Sequence, residues 1–96
     1  MVAYVIYQGE VTDPARYEEY KASSGPNIIA AGGRFLVRGG EVEVLEGEPP
    51  PARTVVLEFP TMQAAIDWYR SEGYTAVRRL REGAANARLY AVQGVE

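Results

Sequence analysis

Ala3-Tyr4-Val5-Ile6-Tyr7-Gln8 reads as a β-strand rich in β-branched and aromatic residues, and it is apolar on both parities. Arg53-Thr54-Val55-Val56-Leu57-Glu58-Phe59 has the same character, with Val55, Val56 and Leu57 running together. An antiparallel sheet with one wet face alternates apolar and polar residues along each strand. Neither stretch does, so both faces of both strands call for burial. One face goes under helices. The other needs a cover that a chain of 96 residues does not supply. Roughly six side chains at about 1.5–3 kcal/mol each give on the order of 10 kcal/mol of transfer free energy. That is comparable to the roughly 4–15 kcal/mol entropic cost of association. The expectation is a sheet-to-sheet homodimer with two-fold symmetry. The alternative is a monomer whose loop 39–52 folds across the sheet.

The rest of the chain supplies the helices and the outer strands. Asp13 reads as an N-cap and Pro14 as the first helical residue, with Tyr17, Tyr20 and Lys21 following at helical spacing. Ser23-Ser24-Gly25-Pro26 reads as an interruption, residues 27–31 as a second short helical piece, and Gly32-Gly33 as its end. Arg34 to Arg38 is a strand with Phe35 and Val37 on one face and Arg34, Leu36 and Arg38 on the other. Glu41 to Glu46 alternates partly and predicts a short exposed strand. Thr61 caps a helix running to about Arg70, with Met62, Ala65, Ile66 and Tyr69 as its apolar stripe. Ser71 caps another helix to about Gly83, with Tyr74, Val77, Leu80 and Ala84 inside. Residues 88–93 form the last strand. The order β-α-β-(β)-β-α-α-β suits one α+β domain over residues 1–96, a ferredoxin-like split β-α-β plait with an antiparallel sheet and helices on one face.

Composition excludes several chemistries. There is no Cys and no His, which removes disulfides, thiol nucleophiles, imidazole bases and nitrogen or sulfur metal ligands. No carboxylate spacing resembles a calcium loop, so neither metal nor cofactor is expected. Acid–base work would fall to Glu, Asp, Tyr, Lys21 or the chain amine. Net charge is −3 and the basic residues are scattered, which does not make a nucleic-acid footprint. No run is long enough to span a bilayer, and Met1 to Tyr7 lacks the basic start of a signal peptide. The expected location is therefore cytoplasmic.

Gly32-Gly33-Arg34-Phe35-Leu36-Val37-Arg38-Gly39-Gly40, Leu45-Glu46-Gly47, residues 53–60 and Trp68-Tyr69-Arg70-Ser71-Glu72-Gly73-Tyr74 together resemble the domain-of-unknown-function 1330 family. Tyr4-Val5-Ile6 and the Thr12-Asp13-Pro14 helix start fit as well, so the likeness spans nearly the whole chain. The resemblance implies a dimeric α+β barrel, an architecture shared with small cofactor-free monooxygenases, chlorite dismutase-like proteins and muconolactone isomerase-like proteins. It brings no established reaction. Where that pattern usually has a His before the double glycine, this chain has Ala31.

Seven residues are candidate ligand contacts. Arg34 and Arg38 suit a bidentate grip on a carboxylate, or serve as edge-strand charges and dimer salt bridges. Glu58 sits in an apolar strand, where it is either a base in a special environment or the partner of a nearby Arg. Trp68 lies off the stripe centre and suits a pocket wall or an interface. Ser71 is a helix cap that also offers a hydroxyl. Tyr74 and Arg81 are two helical turns apart and face the same way, as a donor pair or as core aromatic and surface cation. The leading expectation is a dimeric barrel that binds a small, partly apolar ligand between sheet and helices. An enzymatic version uses Glu58 as base for cofactor-free oxygenation or isomerisation. A purely structural dimer is the remaining class.

Overall fold

A computed structural model describes residues 1–95. The elements are β1 (Ala3–Val11), α1 (Pro14–Ala30), β2 (Arg34–Arg38), β3 (Arg53–Phe59), α2 (Met62–Arg70), α3 (Glu72–Arg79) and β4 (Ala85–Gln93). The four strands form one antiparallel sheet in the order β2-β3-β1-β4, so the two apolar strands are the central pair. Two β-α-β halves interleave, and the fold is the ferredoxin-like plait.

The core lies between the helices and the inner face of the sheet. Val5 and Tyr7 of β1, Val55, Leu57 and Phe59 of β3, and Tyr17, Tyr20, Ile28, Trp68 and Tyr74 from the helices are all buried there. Trp68 is the anchor. Its ring lies 4.2 Å from that of Tyr74 and 5.3 Å from that of Phe59, and its Nε1 donates to Asn27 Oδ1 at 3.0 Å. The sequence stripe gave that place to Tyr69, which is only half-buried. Ala65 and Trp68 form the inward pair because α2 turns its i, i+3 face to the sheet.

Three expectations about local structure are corrected. First, α1 runs unbroken through Pro26. Proline removes one intrahelical N–H, but the carbonyl it orphans belongs to Ala22, which is exposed to solvent. Tyr17, Tyr20, Ser24 and Ile28 are buried along one side, and this packing outweighs the local breaker. Second, β2 carries an irregularity between Phe35 and Val37. Arg34 pairs with Glu58 and Val37 with Val56 on the outer face, whereas Phe35 opposes Leu57 and Arg38 opposes Val55 on the inner face. Arg34 and Arg38 therefore lie on opposite sides of the sheet. Third, residues 41–46 form no strand; the whole segment 39–52 is irregular. In addition, α3 ends at Arg79 and β4 begins at Ala85, three residues earlier than expected.

The outer face of the sheet carries Tyr4, Ile6, Val37, Val56, Tyr90 and Val92. Tyr90 is 45% exposed and Val92 42%. In the 39–52 loop Val42, Val44 and Leu45 are exposed as well. No helix among the described residues is long and apolar enough to cross a membrane.

A helix that is continuous at Pro26 gains from regaining its backbone bond. Pro26→Ala is expected to raise stability by about 1–3 kcal/mol in chemical denaturation, since interior proline costs about 3 kcal/mol. A neutral or destabilising result would show that the chain breaks there.

Candidate functional site

Four buried phenols meet under α1. Tyr17 donates to the Tyr7 hydroxyl at 3.0 Å, and the Tyr20 and Tyr74 hydroxyls share a hydrogen bond of 2.8 Å. Helical spacing places Tyr17 and Tyr20 side by side with ring centroids 5.3 Å apart. Tyr7 reaches them from the inner face of β1, where a side chain at Gly9 would intrude: a Cβ there would lie 2.7 Å from the Tyr7 hydroxyl. Tyr74 comes from α3, whose first turn is fixed by Ser71. The Ser71 hydroxyl accepts from the Tyr74 N–H at 3.1 Å and donates to the Trp68 carbonyl at 2.7 Å.

Arginines close the cluster at both ends. The Arg81 guanidinium stands 5.4 Å from the Tyr20 ring and 5.7 Å from the Tyr7 ring, within cation–π range. Arg53 stands 5.6 Å from the Tyr17 ring, and Arg38 stacks at 4.2 Å on Phe35. Arg38 also donates to the Lys21 carbonyl of α1 at 3.0 Å. The buried Nε atoms of Arg53 and Arg81 find no acceptor within the described chain. An unmet buried donor costs about 1–3 kcal/mol, which a ligand acceptor would recover.

The inner cavity between α1 and the sheet measures about 30 Å³, room for about one water. Lys21, Arg38 and Arg53 line it and also line an open groove of about 510 Å³ along Glu18, Ala22, Gly25 and Pro26. Three cations against one carboxylate make this mouth locally positive on a chain of net charge −3. A separate apolar cleft of about 280 Å³ lies between α2 and the edge strand β4, with Arg70 among its lining residues.

The seven residues expected from sequence divide into groups. Arg34 and Glu58 form an ion pair of 2.8 Å on the outer face of the sheet, away from the cavity. Arg38 stands at the cavity mouth, Trp68 on its wall, and Tyr74 and Arg81 in the phenol cluster behind it. Ser71 is occupied as the cap between α2 and α3. Sequence reading missed Tyr7, Tyr17, Tyr20, Lys21 and Arg53 as members. Tyr17 and Tyr20 were visible as a helical pair, but only the bulge in β2 brings Arg38 round to join them. Among the described residues no cluster of three carboxylates is placed to hold a metal.

Burial raises Tyr20 above the ordinary phenol value, helped by the neighbouring Tyr74 hydroxyl. Burial likewise raises Tyr7, reinforced by its hydrogen bond with Tyr17. Both are therefore neutral donors throughout the physiological range. Burial alone would lower Arg81, but the phenol oxygens of Tyr74, Tyr20 and Tyr7 outweigh it, and the guanidinium stays charged.

Comparison with known proteins agrees with the geometry. A family model described as domain of unknown function (DUF1330) matches residues 2–95, and the chain belongs to that family. Similar solved structures include a protein of unknown function from Rhodopseudomonas palustris, with 18% identity and TM-score 0.75 over 99% of this chain and 83% of that one. SnoaB, a cofactor-independent oxygenase from Streptomyces nogalater, matches with 12% identity and TM-score 0.67 over 99% and 94%. A dimeric protein of unknown function and ferredoxin-like fold from Bacteroides fragilis matches with 10% identity and TM-score 0.57 over 97% and 96%. At these identities the likeness is one of fold. No functionally curated protein matches the chain.

The raised tyrosines set the alkaline behaviour. A phenol in the unfolded chain ionises near 10.0, while Tyr7 and Tyr20 keep their protons in the fold. Their contribution is intact below about pH 10 and is lost as pH rises further, because the unfolded state then binds fewer protons. Denaturation series should show stability falling above that point, with a shallower fall in Tyr20→Phe. An equal slope in the variant would contradict the assignment.

Proposed function

We propose that this member of the DUF1330 family is a homodimeric small-molecule-binding protein, and that its ligand is a small, partly apolar anion held at the mouth of the tyrosine cavity. The observation that carries this reading is the convergence of Lys21, Arg38 and Arg53 beside aromatic rings, with the Arg53 Nε lacking an acceptor. Guanidinium forks match a carboxylate bidentately, so a carboxylate is the head group that fits best. Ala22 and Pro26 in the groove, with the half-buried Phe35 under Arg38, offer apolar surface to its body. A groove of about 510 Å³ has room for a small molecule.

The uncovered outer face supports the dimer. A second copy covers the exposed Tyr90 and Val92 and completes the burial of the half-buried Tyr4, Ile6 and Val56, and it places the Arg34–Glu58 pair within the contact. A dimeric neighbour of the same fold points the same way.

A second reading adds turnover to the same pocket, in keeping with the cofactor-independent oxygenase that shares the fold. What favours it is the set of neutral phenol donors beside Arg81, an arrangement suited to a developing oxyanion. Glu58 lies across the sheet from that pocket and is paired with Arg34, so binding is the stronger reading.

Calorimetric titration with benzoate, phenylacetate and short aliphatic carboxylates tests the proposal. At least one is expected to bind, and Arg38→Met or Arg53→Met to weaken it by about tenfold or more, the loss of one charge-assisted hydrogen bond. Thermal melts of the variants separate this from misfolding. Full affinity in both variants, or no binding by any carboxylate at millimolar concentration, would overturn the reading.

A further inference from the structure

Residues 39–52 connect two adjacent strands by a longer route than such a turn needs. Loops of this length without structure of their own are uncommon in compact domains and are frequently functional. Past Gly39, whose N–H bonds to Thr54 at 2.9 Å, residues 41–46 make no backbone hydrogen bond among the described residues. Their side chains nevertheless carry a strand pattern, Glu-Val-Glu-Val-Leu-Glu, with Val42 and Val44 on one parity and Glu41 and Glu43 on the other. All three apolar residues are exposed, Leu45 at 93%. The segment has the pattern of a strand and no strand beside it.

The opposite edge of the sheet has the complementary shortage. β4 pairs with β1 along its whole length, and its other edge is free. A free edge is a template for another strand. That edge borders the apolar cleft of about 280 Å³ lined in part by Ile66, Tyr69 and Leu89. Arg70 lies at that cleft and Arg88 on β4, and neither has a carboxylate within salt-bridge distance among the described residues. Glu41, Glu43, Glu46 and Glu48 are the only charges in residues 39–52. The acidic strap and the basic edge are opposite in charge.

Within one chain the two cannot readily meet. The strap springs from β2 and β3, and β4 lies three strand spacings from β2, about 14 Å. A two-fold axis along the strand direction between two facing sheets puts β2 of one copy over β4 of the other, running antiparallel. We infer that residues 41–46 of one copy add as a strand to the free edge of β4 in the second copy, with Val42, Val44 and Glu46 turned toward its apolar cleft and Arg70, and Glu41 and Glu43 toward Arg88 on the other face. This rests on the homodimer proposed above and names the segment that closes it. The strap supplies main-chain hydrogen bonds in the manner of strand addition.

The chain has no cysteine, so thiol cross-linking has no background. Glu43→Cys protein is mixed with protein carrying Asn86→Cys, Arg88→Cys or Tyr90→Cys and then oxidised. A disulfide-linked heterodimer is expected for at least one pairing. In parallel, hydrogen exchange is compared between the native chain and a variant with residues 41–46 replaced by Gly and Ser, a change confined to exposed, unpaired backbone. Amides of β4 that do not pair with β1 are expected to exchange at least about tenfold faster in the variant. Light scattering on the native chain separates the two layers of the argument. A dimer with no cross-link and unchanged β4 exchange overturns the strap placement alone. A monomer overturns both the placement and the homodimer beneath it.

Discussion

The sheet has more apolar surface than three helices can shield. Val5, Tyr7, Val55, Leu57 and Phe59 are consumed by the core beneath α1, α2 and α3. Tyr4, Ile6 and Val56 alternate with them on the same strands and are left facing outward, joined by Tyr90 and Val92 from β4. Exposed apolar patches of this kind mark contact surfaces on soluble proteins. The arrangement of the molecule follows from this division. One face is committed to a core with a small cavity, and the other is available for a second copy.

The same division explains where charge sits. Charged side chains inside a sheet face need partners or solvent. On the outer face Glu58 takes Arg34 as partner, a part-exposed pair worth about 0–1 kcal/mol whose effect is to keep the strand ends polar. On the inner face the cations are excluded from the core and gather at its rim, where Arg38, Arg53 and Arg81 lie against the aromatic rings of Phe35, Tyr17, Tyr7 and Tyr20. Guanidinium stacking and phenol hydrogen bonding together make a wall that is apolar in body and positive at its opening. That combination is what the proposed carboxylate ligand would meet.

The architecture was legible in the sequence because it rests on long-period signals: two strands without alternation, three capped helix starts, and the β-α-β order. What escaped was local and set by tertiary contact. Ser23-Ser24-Gly25-Pro26 carries the chemistry of a break, yet buried Tyr17, Tyr20, Ser24 and Ile28 hold α1 through it. A five-residue strand shows no sign of its bulge, and the bulge alone moves Arg38 to the helix side while Arg34 stays outside. The stripe of α2 is shifted by one position, which exchanges the roles of Trp68 and Tyr69. The candidate site suffered most, because its members come from β1, α1, β2, β3, α3 and the turn after it. Residue type marked Arg38, Tyr74 and Arg81, but their meeting with Tyr7, Tyr17 and Arg53 depends on strand register that periodicity does not encode.

Isotope-filtered NMR on a mixture of labelled and unlabelled chains reports on the outer face of the sheet itself. The account predicts intermolecular contacts at the methyl groups of Ile6, Val56 and Val92, the residues that the helices leave uncovered. Methyl groups there that contact only water, in a particle tumbling as a single chain, would contradict it.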